Sequence, residues 1–429
     1  MIQTKNNQLY IEGISFKDLA DQYGTPLYIY DQAALEKRME TYYNTFTSPL
    51  FETKVLYASK AFLCKAMVKL AQKHSLCLDV VSGGELYIAK QAGFNMDRVY
   101  FHGNNKTEAE LRQAIDYGVH TIVLDNLDEA KRLVRLSQNS TKPIHALLRI
   151  NPGIEAHTHA YIVTAHIDSK FGILKSEIDT IEKIIQTCDE ADNVIFDGFH
   201  AHIGSQIFDP KAFIAEIETM AEFIATLQKK MERTFSVLDL GGGFAAYYTQ
   251  EDAPIPIETI CPLIVNTCEA MQEKYSLSLK EILIEPGRSI VAEAGYSLYT
   301  IGSIKKTPHK QYAFVDGGMS DNIRPALYQA AYRSDLVEKM DQEKKETYCI
   351  AGKCCESGDI LIERASLPLA EENDLLVVYT TGAYGYSMAS NYNALCIPAI
   401  VFVKDGQSKL VVRRQCFEDL IEKDMEDPV

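Results

Sequence analysis

The feature that most limits what this chain can fold into is an alternation: eight short β-branched runs separated by longer amphipathic stretches. The runs lie at 55–58, 77–81, 98–103, 121–125, 144–150, 196–202, 237–241 and 281–287. Between them apolar residues recur every three or four positions, as in TEAELRQAIDY (107–117) and across 211–230, and this spacing predicts helices. Thr107 with Glu110 three residues on predicts a capping box at the start of one of them. Eight strand–helix units over about 250 residues match the count and length of a closed (β/α)8 TIM barrel. An open doubly wound sheet uses the same α/β alternation, so periodicity alone leaves closure open. The long insertion from 151 to about 195 suits either architecture.

Past residue 287 the pattern becomes alternating apolar and polar, without long helical periods, in YSLYTIGSIKK, KQYAFVDGG, DLLVVYTT and PAIVFVKDGQSKLVVRR. Asp405 followed by Gly406 between two such runs is a hairpin signal. The early pieces QLYIEGI and PLYIYD are also strand-like. The expected division is a barrel over 35–287 and a C-terminal β-sandwich-like domain over 288–429, joined by the N-terminal segment 1–34.

Charge narrows the partners. Lysine and arginine total 43 against 59 aspartates and glutamates, a formal net charge of −16, and no basic cluster occurs. That balance argues against nucleic acid and anionic membranes as partners. No apolar run reaches the roughly 18 residues of a membrane span. The polar start MIQTKNNQLYIEG lacks the apolar core of a signal peptide. Ten cysteines show neither zinc nor disulfide spacing, and the adjacent Cys354 and Cys355 do not readily form an unstrained disulfide. Free thiols in a reducing cytoplasm are the expectation.

A barrel of this kind builds its active site at the carboxyl ends of its strands. The first run ends at Lys60, the second holds Asp79, and the fifth carries Arg149 near its end. The sixth carries His200 and His202, the seventh runs into Gly241, Gly242 and Gly243, and the eighth ends in Glu285, Pro286, Gly287 and Arg288. Each type has a use around pyridoxal phosphate. A strand-end lysine forms a Schiff base with an aldehyde. A glycine triplet lets backbone N–H groups approach a phosphate, and Ser205 with the EPGR turn adds donors. A carboxylate such as Glu285 keeps a pyridine nitrogen protonated, and His202 can stack on the ring.

Taken singly, these signals have plain structural readings. A lysine after a strand is usually solvated, and a glycine triplet is often only a tight turn. His200 and His202, two apart on a strand, share a face and would also suit a metal, with His157, His159 and His166 adding to that reading. Neither HExxH nor a cysteine quartet is present, so no metal is expected, and His200 is equally readable as a core residue. The functional reading rests on five strand ends each supplying a part.

The chain resembles the barrel-type (fold type III) pyridoxal-phosphate decarboxylases, and within them the diaminopimelate decarboxylases. The matching segments are YASKAF, LDVVSGGEL, HGNNK, RINPGIEAHTHAYI, DSKFGI, HAHIGSQI, DLGGGF, EPGRSIVA, VDGGMSDNIRPALY, CESGD and GAYGYSMASNYN, in family order over nearly the whole chain. RPALY, CESGD and the AHTHAYI–DSKFGI region point to the diaminopimelate branch. The resemblance implies that Lys60 holds the cofactor, His202 stacks on its ring and Glu285 pairs with the pyridine nitrogen. It sets Ser205, Gly243 and Arg288 around the phosphate. Substrate contacts would come from Arg288, Arg324, Tyr328 and Glu356, with Tyr384 touching cofactor and substrate.

Members of that family are homodimers whose CES segment enters the neighbouring site, so Cys355 and Glu356 would act in trans. Cys355 and Lys60 are then both candidates for reprotonating Cα. The implied reaction removes CO2 from the D-centre of meso-diaminopimelate and yields L-lysine. Two alternatives stay open: a decarboxylase of another basic amino acid or carboxylated polyamine, whose active-site cysteine is usually followed by aspartate rather than Glu356, and a non-catalytic relative. Two departures stand out. A basic, proline-containing stretch normally follows SNYN, where this chain has ALCIP, and GKCCES replaces the usual small residue or proline before CES.

Overall fold

A computed structural model describes residues 2–154 and 168–426. His157, His159, His166 and the AHTHAYI motif lie outside the described residues. The eight expected runs form eight parallel strands: Glu52–Ala58, Cys77–Val80, Val99–Phe101, Thr121–Leu124, Ile144–Asn151, Val194–Ala201, Val237–Asp239 and Glu281–Ile284. Each pairs with the next, and the eighth pairs back onto the first with Glu281 opposite Glu52. That last ladder closes the barrel and decides against the open sheet. Several strands are buried along their whole length, as parallel strands covered by helices must be.

A helix follows each of the first seven strands, from Lys65–Lys73 and Gly83–Gln91 to Pro210–Met231 and Ile257–Tyr275. The helix Glu108–Tyr117 starts at the anticipated capping box, in which the Thr107 side chain accepts from the Glu110 N–H and Glu110 reaches back to Thr107. A short strand, Ile173–Leu174, extends the sheet beside Ile150 and Asn151.

The chain divides into two compact units. Residues 38–245 and 253–289 form the barrel unit, and residues 1–37, 246–252 and 290–429 form the other. The second unit is built on a nine-stranded mixed sheet. Its long strand Gly295–Lys306 pairs through its first half with Leu27–Asp31 and Leu375–Tyr379, and through its second with Gln311–Val315. Every residue of Leu27–Asp31 is buried, and this strand also pairs in parallel with Ala399–Lys404, which explains why an N-terminal segment belongs here. Phe16, Leu19, Ile29, Leu298, Val377 and Val401 are among the residues of its core. Asp405 (φ 52°) and Gly406 (φ 72°) turn the hairpin of Ala399–Lys404 and Gln407–Val412, both left-handed as a two-residue loop of this kind demands. Among the described residues no helix is long and apolar enough to cross a membrane.

Candidate active site

The strand ends of the barrel unit bring most of the expected residues to one rim. Lys60 sits on the turn Ser59–Ala61 directly after the first strand and is exposed. Its charge reaches Asp79, Glu85 and His202. Asp79 is buried in the second strand. The sixth strand ends at Ala201, so His200 lies on it and is buried, while His202 is half-buried just beyond. The Gly242 N–H donates to His202 Nδ1 at 3.2 Å. Arg288 donates to Ser205 Oγ from Nη2 at 2.9 Å and from Nε at 3.2 Å.

Glu285 is the centre of this rim. It follows the eighth strand, is buried, and has His102 Nε2 2.9 Å from one carboxylate oxygen and His200 Nε2 3.4 Å from the other. Burial alone would push Glu285 up, but His102 and then His200 hold it well below the usual carboxylate range. Burial pushes His200 down to about 4, so it faces Glu285 as a neutral donor at ordinary pH. His202 is also driven well below the usual histidine range, by burial first and then by Lys60 and Arg149. Asp239, in the seventh strand, moves the other way: burial and the neighbouring Glu285 push it well above the carboxylate range.

The glycine turn is backbone-constrained. Gly243 has φ 112°, and a Cβ on Gly242 would stand 2.4 Å from the Glu285 carbonyl oxygen. The triplet is expected to let backbone N–H groups approach a phosphate, and the resemblance names Gly243 for it. The Gly241 N–H donates to Asp239 Oδ1 at 2.9 Å and the Gly242 N–H to His202. Only the Gly243 N–H has no partner among the described residues. Gly287 comes one residue after Pro286, whose carbonyl accepts the Ala58 N–H at 3.2 Å and so joins the EPGR turn to the end of the first strand.

The remaining expected residues belong to the other unit. Arg324 is buried at the start of the helix Arg324–Tyr328 and donates to the hydroxyls of Tyr332 at 2.8 Å and Tyr248 at 3.2 Å. Its guanidinium also lies 5.8 Å from the centre of the Tyr384 ring, and Tyr384 holds a left-handed φ of 61°. Tyr328 is half-buried at the end of that helix. Cys355 and Glu356 stand apart from this cluster. Both are exposed; the Cys355 N–H donates to Asn393 Oδ1 at 2.6 Å, and the Glu356 carboxylate accepts from the Gly358 N–H.

Three residues of the rim had no assigned role in the sequence reading. His102, in HGNNK, directly follows the third strand and so obeyed the strand-end rule. Arg149 sits 4.5 Å above the Phe171 ring and its charge reaches Asp79, Asp125 and Glu285. Asp239 opens the DLGGGF turn. Any cofactor must account for an amine on one strand end, an ionised carboxylate between two histidines, and an unpartnered glycine N–H near a serine–arginine pair. His102, His200 and Glu285 have ligand atoms within 4.8 Å of one another and could surround a cation. A cation has no use for the lysine or the glycine turn, whereas pyridoxal phosphate uses all of them.

The family model for the pyridoxal-dependent decarboxylase pyridoxal-binding domain matches residues 32–292. Barrel and rim together thus define a pyridoxal-dependent decarboxylase, with pyridoxal phosphate as its cofactor. The chain is 45% identical over 424 residues to the diaminopimelate decarboxylase of Bacillus subtilis, covering 99% of this chain and 96% of that protein. It is 47% identical over 416 residues to that of Bacillus methanolicus, covering 96% of each. The solved diaminopimelate decarboxylase of M. jannaschii in complex with L-lysine superposes with a TM-score of 0.93 at 33% identity, over 100% of this chain and 98% of that one. The chain belongs to the diaminopimelate decarboxylase family.

Proposed function

We propose that this protein decarboxylates meso-2,6-diaminopimelate to L-lysine and CO2. The observation that carries the chemistry is Glu285, kept ionised between His102 and His200 at the barrel mouth. When bound, pyridoxal phosphate supplies an electron sink for the pair left behind as CO2 departs. Glu285 is suited to hold a proton on the ring nitrogen, and Lys60 is the amine that tethers the aldehyde. His202, with its Nδ1 occupied by the Gly242 N–H, has a fixed ring plane for stacking. The Gly243 N–H, Ser205 and Arg288 form the phosphate-binding set, with Asp79, Gly241, Gly242 and Gly287 shaping the pocket around it.

The identities of the Bacillus relatives and the lysine complex of the M. jannaschii enzyme support the substrate. The far end of that substrate is itself an amino acid. It calls for cations at its carboxylate, assigned to Arg288 and Arg324, and an anion at its ammonium, assigned to Glu356. Tyr328 and Tyr384 complete the substrate set. A pocket built this way disfavours ornithine or lysine, because a buried arginine would be left without its carboxylate. We place Cys355 and Glu356 in the partner's site of a homodimer, which suits their exposure here. The ten free thiols suit a reducing cytoplasm.

The test is CO2 release by purified protein with added pyridoxal phosphate from meso-diaminopimelate, ornithine, arginine and lysine. Activity confined to the last three would overturn the substrate. Lys60→Ala should lose the near-visible band of the bound cofactor; retention of covalent cofactor after borohydride reduction would move the tether elsewhere.

A further inference from the structure

The family resemblance leaves ALCIP unexplained, and its cysteine has a neighbour. Cys396 is half-buried and Cys416 is exposed, and both line one cavity of about 550 Å³ in the sheet unit. The hairpin of Ala399–Lys404 and Gln407–Val412 sets Ile400 opposite Val412. Continued past the strand ends, that register sets Ile397 opposite Gln415, and the Gln415 N–H does donate to the Ile397 carbonyl at 3.1 Å. The next pair outward is Cys396 opposite Cys416. The Ile397 N–H donates to the Gln415 side chain, Oε1 at 2.9 Å, so one backbone and one side-chain bond hold the two segments side by side here. Facing residues of neighbouring antiparallel segments have Cα atoms about 4.5–5.5 Å apart, within the range a disulfide spans.

We propose that Cys396 and Cys416 form a reversible disulfide that ties the start of the C-terminal helix Phe417–Ile421 to the loop carrying Asn393. Asn393 Oδ1 accepts the Cys355 N–H, so the tie reaches the CES loop through one hydrogen bond. Cys416 now caps the helix, its thiol 3.4 Å from Asp419 Oδ2, and must rotate about χ1 to meet Cys396. The oxidant is a low-molecular-weight disulfide such as oxidised glutathione. The Cys416 thiolate attacks one of its sulfurs and releases one glutathione thiolate. The Cys396 thiolate then attacks the Cys416 sulfur and releases the second. Two protein thiols are oxidised by two electrons, one disulfide is reduced, and the two protons pass to glutathione. A transient bond of this kind is compatible with a reducing compartment.

The experiment is incubation of reduced holoenzyme with oxidised glutathione, followed by mass spectrometry of the unreduced digest and amide exchange. The expected product has lost two hydrogens, joins the peptides of Cys396 and Cys416, and exchanges more slowly across 391–398 until dithiothreitol is added. In Cys416→Ser the reaction should stop at a glutathione adduct or not begin, with no intramolecular cross-link at Cys396. The proposal is overturned if both thiols of the wild type stay free, if glutathione remains on either without resolution, or if Cys355 is the linked partner. Unchanged exchange across 391–398 in the cross-linked protein would overturn the tie to the loop. None of these outcomes depends on which substrate the enzyme decarboxylates.

Discussion

Lys106, the last residue of HGNNK, is 2% exposed, and its ammonium has three partners in the barrel unit. It lies 2.6 Å from Glu129 Oε1 and donates to the carbonyls of Gly103 and Val123, each at 2.7 Å. Burial lowers its tendency to hold a proton and Glu129 restores part of it. Glu129 is equally enclosed, and its other oxygen accepts the Asp125 N–H at 2.9 Å. Lys106→Met keeps the bulk but leaves a carboxylate and two carbonyls without their donor. Removing one partner of a buried pair costs about 3–5 kcal/mol, a large share of the roughly 5–15 kcal/mol that holds a domain together. Adding Glu129→Gln removes the stranded charge while a carbonyl oxygen can still take the Asp125 N–H, so the double variant should recover about 1–3 kcal/mol. Urea unfolding of holoenzyme at fixed protein concentration, followed by far-UV circular dichroism, gives both numbers. A single variant costing under about 1 kcal/mol, or a double variant as unstable as the sum of the singles, would refute the reasoning. Because Gly103 directly follows His102, the single variant should also loosen cofactor binding.

Three further outcomes are expected. Glu285→Gln keeps the shape but not the charge, and turnover at saturating pyridoxal phosphate should fall on the order of 100-fold, as for other well-placed electrostatic groups; an unchanged kcat would remove Glu285 from its role. Gly242→Ala puts a methyl 2.4 Å from the Glu285 carbonyl oxygen, and the protein should lose its near-visible band on dialysis where wild type keeps it. Asp321, with Tyr299 donating to it at 2.6 Å, is pushed by burial up to about 7. Its folded value exceeds its unfolded one, so its stabilising contribution is complete below about pH 4 and is lost as pH rises through about 7. The sheet unit should therefore resist urea better at pH 5 than at pH 8, and Asp321→Asn should flatten that difference.

The barrel was legible because a strand buried on both faces must be written as a β-branched run, and eight such runs with helices between them leave few arrangements. Closure was not, since it depends on the eighth run finding the first, a pairing of Glu281 with Glu52 that no local pattern encodes. The site divides in the same way. Lys60, His202, Glu285 and the glycine turn could be read because each carries a residue type with a chemical use at a strand end. His102 obeys the same rule but carries no second signal in HGNNK, and His200 reads as core until its distance to Glu285 gives it a role. Which glycine N–H stays available was not legible, because Asp239 and His202 become acceptors for the Gly241 and Gly242 N–H groups only once the turn is folded. Pairings such as Cys355 with Asn393 depend on long-range packing and left no local signal.

The barrel interior also explains why one carboxylate among several carries the charge. Asp79 and Asp239 on the strands and Glu216 on the helix Pro210–Met231 are buried within reach of the Glu285 charge, and all are pushed up, by burial first in each case. Glu216 is fully buried with neither oxygen hydrogen-bonded, a state that a neutral acid tolerates and a carboxylate does not. Two histidines approach Glu285 within 3.4 Å, and among the described residues none comes so close to Asp239 or Glu216. Once Glu285 is ionised, its negative charge raises the other three further, so the ionisation is self-sorting. A single localised negative charge is what a protonated pyridine nitrogen requires. Replacing either His102 or His200 should therefore spread that charge over the neighbouring acids and lower turnover even though neither histidine needs to touch substrate.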